Sequence, residues 1–214
     1  MKFFSTEGGL YQFMSRLFQI IKLNLLWLLC SIPIVTMGAA SIAVYTITLK
    51  MVDEREGYIA KPFFKAFREN LKQGVILEVI TFVCFYAVYM DFQLFNAVEG
   101  NPIVFLMIGI LSAIVCFLAL IYAYPLAARY ENKISRILRN SFDIAVRFPV
   151  RTLALVLVLA VEFVIMFWNT TTLFFAILIG PVCVMFTVSG FARYFFRVLE
   201  KEPGAVSNPE DLKD

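Results

Sequence analysis

The chain has 214 residues, 61% of them hydrophobic and only 16% charged, with a net charge of +3 and no histidine. Soluble domains hold about 45–50% apolar and about 25% charged residues, so a water-soluble globule is excluded as a first reading. The mean hydropathy of +0.81 makes lipid the expected solvent.

Charge placement says more than net charge. All 19 Lys and Arg fall in four blocks: 1–22, 50–72, 129–151 and 193–214. Membrane-length apolar runs separate the blocks, which excludes one continuous basic face for nucleic acid. The positive-inside rule then expects every block, and both termini, on the cytoplasmic side of a multi-pass membrane protein.

Residues 1–9 read as a loose lead. Over Leu10–Lys22, Leu10, Phe13, Met14, Leu17, Phe18 and Ile21 recur at helical spacing opposite Gln12, Arg16 and Gln19, which predicts an amphipathic helix. Leu23–Leu49 follows with no charged residue, long enough as a helix to over-span a hydrocarbon core of about 30 Å. One smooth helix is not expected there. Pro33 removes a backbone donor and biases Ile32 away from α geometry, and Thr36 is placed to cap a new helix near Met37. The helix-break motif is therefore Pro33, Thr36 and Gly38, and residues 10–52 are expected to form a broken helix or hairpin turning at 33–38. A single kinked crossing, a full hairpin and a shallow re-entrant hairpin all compete. The hairpin is preferred because it keeps Lys2, Arg16 and Lys22 inside.

After a turn at 53–57, Pro62 suits the first turn of a helix carrying Phe63, Phe64 and Phe67 among Lys65, Arg68 and Lys72. Aromatics at headgroup level explain this stripe. It is also the candidate partner-contact surface, written as Phe63, Phe64, Phe67, Arg68 and Asn70. Spans are expected at 75–96, 103–128, 153–168 and 173–192, with turns at 98–102 and 169–172 and an amphipathic piece at 134–146. Residues 200–214, with Pro203, Gly204 and Pro209, read as a flexible cytoplasmic tail. The expected fold is one all-α membrane domain of about six transmembrane or re-entrant helices, with five spans as the alternative.

Charge inside a bilayer is costly, by about 2.5–3.5 kcal/mol on insertion scales, so buried polar residues are functional candidates by default. Glu162, in an otherwise apolar span, leads. Lys22 and Asn24 follow, and a Lys22–Glu162 pair is one reading of these charges. In the other, Lys22 snorkels to the interface and Glu162 is a hydrogen-bonded structural group. Glu78 and Asp91 are read as interfacial. Cys30, Cys84, Cys116 and Cys183 stand singly in apolar runs and read as small hydrophobes rather than disulfide or metal ligands. No phosphate-binding loop, nucleophile elbow, metal-ligand spacing or paired carboxylates appear, so no catalytic residue, cofactor or metal is expected.

Three stretches carry a resemblance: Gly8-Gly9-Leu10-Tyr11, the Pro33–Ala39 turn (Pro-Ile-Val-Thr-Met-Gly-Ala) and Phe63–Asn70 (Phe-Phe-Lys-Ala-Phe-Arg-Glu-Asn). In order and spacing they resemble the YesL-like family of bacterial integral membrane proteins over residues 8–75. Beyond 75 only the hydropathy pattern supports the match. The family has no settled activity and brings no catalytic residues, but its members commonly lie beside genes for carbohydrate uptake. The resemblance therefore implies a non-enzymatic accessory subunit that contacts the transmembrane subunits of an oligosaccharide ABC importer. The alternative, resting on the broken helix and Glu162, is a small-solute transporter or channel in its own right.

Overall fold

A computed structural model describes residues 9–53, 58–97 and 103–199, with side chains described for 14–53, 58–95 and 103–199. The lead at 1–8, two loop segments and the expected tail at 200–214 lie outside the described residues. Every regular element described is helical: α1 (Gly9–Ser31), α2 (Met37–Val52), α3 (Ala60–Glu69), α4 (Leu71–Ala97), α5 (Ile103–Leu120), α6 (Ala123–Arg129), α7 (Ile134–Arg147), α8 (Pro149–Met166) and α9 (Thr170–Leu199).

Five stretches are long and apolar enough to cross a membrane: Ile34–Val52, Leu71–Phe95, Ile103–Arg129, Pro149–Met166 and Thr170–Leu199. The chain is thus an all-α, multi-pass type of protein, and the five-span count is the one these helices support. α1 packs on α2 and α9 without being among the five.

The break falls where Pro33 requires it. Pro33 is extended (φ −76°, ψ 108°), a short 3-10 turn covers Ile34–Thr36, and α2 begins at Met37. The role expected of Thr36 is corrected, however. Its hydroxyl makes no cap to α2 and instead lies 2.6 Å from the Cys30 carbonyl oxygen and 2.8 Å from that of Pro33. The carbonyls at the end of α1 lack intrahelical partners, and Thr36 serves that end, not the start of the next helix.

Two further joints were invisible as hydropathy. Asn70 separates α3 from α4. It closes α3, its side-chain nitrogen donating to the Ala66 carbonyl at 2.8 Å while its backbone carbonyl accepts from the Gly74 N–H at 2.7 Å. The expected span at 103–128 divides near Ile121–Tyr122, where Ser141 from α7 inserts a hydroxyl. That hydroxyl accepts from the Tyr122 N–H at 3.1 Å and donates to the Leu118 carbonyl at 3.2 Å. It thereby bridges the donor and acceptor that one continuous helix would have joined directly. Elsewhere Pro149 opens α8, and a reciprocal Asn169–Thr172 cap starts α9.

α2 is the hub. It contacts α1, α3, α4, α6 and α9, whereas α5 packs on α4 and α7, and α8 chiefly on α9. Its start lies on α4, where a Cβ added to Gly38 would fall 2.2 Å from the Gly74 carbonyl oxygen. At Gly74 an added Cβ would sit 2.4 Å from Ala39 backbone atoms, so backbone meets backbone and only glycine fits on either side. The main core gathers α2, α6, α7 and the end of α9 around Tyr122, Phe195 and Phe196. Tyr122 meets Phe195 edge-on at 5.1 Å, and Tyr130 meets Phe196 at 5.4 Å. Away from that end, α4, α5, α8 and the first turns of α9 turn Phe85, Leu111, Phe163 and Phe174 outward. In water such surface would be untenable. Facing acyl chains, it is the ordinary exterior.

Candidate functional site

Four polar places in this bundle hold the expected candidates or their neighbours, beside smaller buried hydroxyl contacts such as Thr48 with Ser189. The first is Asn24, fully buried on α1. Its side-chain nitrogen donates to the Ile177 carbonyl on α9 at 3.0 Å. The choice of carbonyl has a covalent cause. In an α-helix Ile177 would accept from residue 181, but that residue is Pro181, which has no N–H. Asn24 supplies the missing donor from a neighbouring helix, and its Oδ1 stays buried without a partner. Asn24 is thus a repair of the α9 backbone.

The second place is Glu162 on α8. Its Oε1 accepts from the Thr187 hydroxyl at 2.5 Å, and its Oε2 is buried with no hydrogen-bond partner. Lys22 is elsewhere: it is exposed, with its ammonium 4.2 Å from the centre of the Phe18 ring. The structure does not bring Lys22 and Glu162 together, because each has a nearer partner on its own side of the bundle.

The third was misjudged in the sequence. Glu78, read there as interfacial, is 3% exposed and accepts from the Tyr124 hydroxyl at 2.8 Å. Thr81 lies 3.0 Å from the same phenolic oxygen and 2.9 Å from the Leu77 carbonyl. Gly38 explains the burial, since the absent side chain lets α2 approach to the Cβ of Glu78. Tyr124 and Thr81, with Tyr45, form the polar part of a lipid-facing groove of about 620 Å³ between α2, α4, α5 and α6. Its remaining wall, including Phe85, Val88, Ile114 and Phe117, is apolar. The groove also brings Cys84 and Cys116 into hydrogen-bonding reach of one another as free thiols, a proximity that two residues far apart in sequence gave no sign of.

The fourth place ties α2 to α9. Asp53 Oδ1 accepts from Arg193 Nε at 2.5 Å and Arg197 at 3.2 Å, and both Asp53 and Arg193 are largely shielded from solvent. Burial alone would raise the Asp53 pKa. The hydrogen bonds and positive charge of Arg193, then Arg197, outweigh it and hold the carboxyl below its ordinary value.

The aromatic stripe divides. Phe63 is fully buried against Leu23, Ala40 and Val44, Phe67 packs beside it, and Asn70 is 3% exposed, so these three hold α3 on the bundle. Phe64 and Arg68 remain on the outside. Only part of the expected contact surface is therefore available to a partner. The stripe put Phe63 and Phe64 together, but as neighbours in a helix they point apart, and nothing local said which face α2 would cover. Among the described residues no group of three or more His, Cys, Asp and Glu gathers to hold a metal ion.

Residues 20–92 match a family described as "Protein of unknown function, DUF624". The chain is also 26% identical over 177 residues to "Uncharacterized protein YesL" of Bacillus subtilis (strain 168), an alignment covering 80% of this chain and 84% of that protein. No solved structure matches the chain significantly. The DUF624 segment runs from the end of the amphipathic lead through the helix break and α3 into α4, so it contains both the Pro33–Ala39 and Phe63–Asn70 motifs and the Gly38–Gly74 contact. Together the two matches support assignment of the chain to the YesL-like family.

Proposed function

We propose that this protein is a non-enzymatic accessory subunit of the bacterial cytoplasmic membrane that binds the transmembrane subunits of a carbohydrate ABC importer and stabilises or modulates them. The observation that supports this most is the disposal of its polar groups. Asn24 mends a backbone, Ser141 mends another, and Glu78, Tyr124 and Thr81 satisfy one another. Apart from the unpartnered Oε2 of Glu162, the surface left for recognition is mostly apolar: the outward face of α4 and α5 and the groove between them. In lipid, helices associate by close packing rather than by hydrophobic exclusion, so such a groove favours an inserted helix or side-chain ridge over a polar solute. The basic blocks set the proposed orientation, with α3, α7 and the end of α9 toward the cytoplasm. Sugar import enters through the family resemblance, not through any sugar-binding group.

Detergent pull-down of the tagged protein from cells growing on an oligosaccharide is expected to recover importer transmembrane subunits. Phe85→Trp or Ile114→Trp, which fill the groove, should reduce that recovery. Isolation of the protein alone, under conditions that keep the importer intact, would overturn the reading.

A second reading, transport in its own right, is favoured by the unpartnered Oε2 of Glu162 beside Thr187. It requires solute flux in liposomes containing only this protein, abolished by Glu162→Gln.

A further inference from the structure

A second groove, on a different face from the one used above, lies between α1 and the start of α3 and has a volume of about 600 Å³. Its wall changes character in order along α1. Ser15, Gln19 and Lys22 come first, and Leu25, Leu26 and Leu29 follow on the same side. At 1.5 Å per residue, Lys22 and Leu29 are about 10 Å apart along the axis, a depth that fits within one half of a hydrocarbon core about 30 Å thick.

The polar end is electropositive. Among the described residues Lys22 has no carboxylate partner, and its position over the Phe18 ring orients the ammonium without neutralising it. The facing wall is made of Tyr58, Ile59 and Ala60. Ala60 opens α3, whose first turn holds no acidic residue and has no side-chain cap. Among the described residues no acidic side chain lines the groove. A ligand that spans it must be anionic at one end and aliphatic at the other.

We infer that this groove seats an anionic phospholipid, its phosphate at Lys22 and an acyl chain along Leu25, Leu26 and Leu29. Free phosphate would leave the leucine wall unused. A zwitterionic lipid would bring a second cation to Lys22. The site would fasten α1, which is not among the apolar spans, to the boundary of the bilayer. This inference stands or falls independently of any importer.

Native mass spectrometry of the full-length protein, exchanged into detergent with equal phosphatidylglycerol and phosphatidylcholine, tests it. Selective retention of phosphatidylglycerol is expected. Lys22→Glu should erase the selectivity, Lys22→Arg should keep it, and Leu26→Trp should lower retention by filling the acyl path. Because Lys22 is exposed, thermal melting of its variants should match the parent, which separates lost binding from lost fold. Equal retention of the two lipids, or undiminished phosphatidylglycerol on Lys22→Glu, overturns the proposal. Displacement of the lipid by millimolar inorganic phosphate also overturns it, because it would make the site one for a free anion.

Discussion

Removing the Asn24 side chain tests whether this bundle uses one helix to complete another. In Asn24→Leu the Ile177 carbonyl loses its 3.0 Å donor, and Pro181 cannot replace it. A buried acceptor left bare costs about 1–3 kcal/mol, whereas interhelical hydrogen bonds measured within a membrane average about 0.6 and reach about 1.7 kcal/mol. Asn24 Oδ1 is itself buried and unpartnered, so the leucine also removes a cost, which pulls the estimate to the lower part of the range. A net loss of about 1 kcal/mol is expected, close to a fivefold change in the folding equilibrium. The decisive measurement is the same substitution made in a Pro181→Ala background. Residue 181 then carries an N–H, the Ile177 carbonyl regains its own helix, and Asn24 has nothing left to serve. Reversible unfolding in mixed micelles with increasing dodecyl sulfate, read by circular dichroism for all four proteins, gives the coupling. A cost for Asn24→Leu that is the same in both backgrounds, within about 0.3–0.5 kcal/mol, would refute the repair.

Gly38→Ala and Gly74→Ala should each destabilise by about 1–3 kcal/mol, because the added carbon meets backbone at 2.2 Å or 2.4 Å, and backbone cannot rotate away. Gly190→Ala is the control: nothing lies within 4 Å of its added carbon, so thermal melting should be unchanged or higher through helix propensity. Asp53 has a folded pKa below its unfolded value of about 3.9, so its ion pairs contribute stability that is complete above that pH and is lost as pH falls through the folded value. Melting temperatures measured in detergent from pH 6 downward should drop below about pH 4 by less in Asp53→Asn than in the parent. Lys22→Gln and Glu162→Gln should be additive in unfolding free energy, since the two residues share no partner. A coupling above about 0.5 kcal/mol would restore the ion pair.

How much of this was readable beforehand depended on range. Pro33 forced its break locally, and the charge-free runs fixed the apolar helices, because hydropathy needs no knowledge of neighbours. What failed were residues whose roles are set by a distant chain segment. Thr36 was read forward as a cap, but its hydroxyl found the Cys30 carbonyl behind it. Glu78 looked like an interfacial acid until Gly38 brought α2 against it and Tyr124 arrived from α6. Pro181 and Asn24 stand 157 positions apart in the numbering and were noticed separately or not at all, although the proline's missing donor was a local signal that some side chain would answer it. Phe63 and Asn70 belonged to a motif and were taken for a contact surface. Burial gives a motif residue the same prominence that binding does, and only the packed neighbours tell the two apart.

The uneven placement of the core bears on how the molecule responds to its surroundings. Tyr122, Phe195, Phe196 and the Asp53 ion pairs clench the bundle at one extremity, while the opposite tips of α4, α5, α8 and α9 leave most of their large apolar side chains turned outward. Spreading those tips exchanges protein neighbours for acyl chains of the same apolar kind, so it resists weakly, whereas the clenched extremity does not yield without breaking charge pairs and edge-on ring contacts. The protein is therefore built like tweezers, rigid at the grip and compliant at the points, and a thicker or thinner bilayer should be felt first at the points.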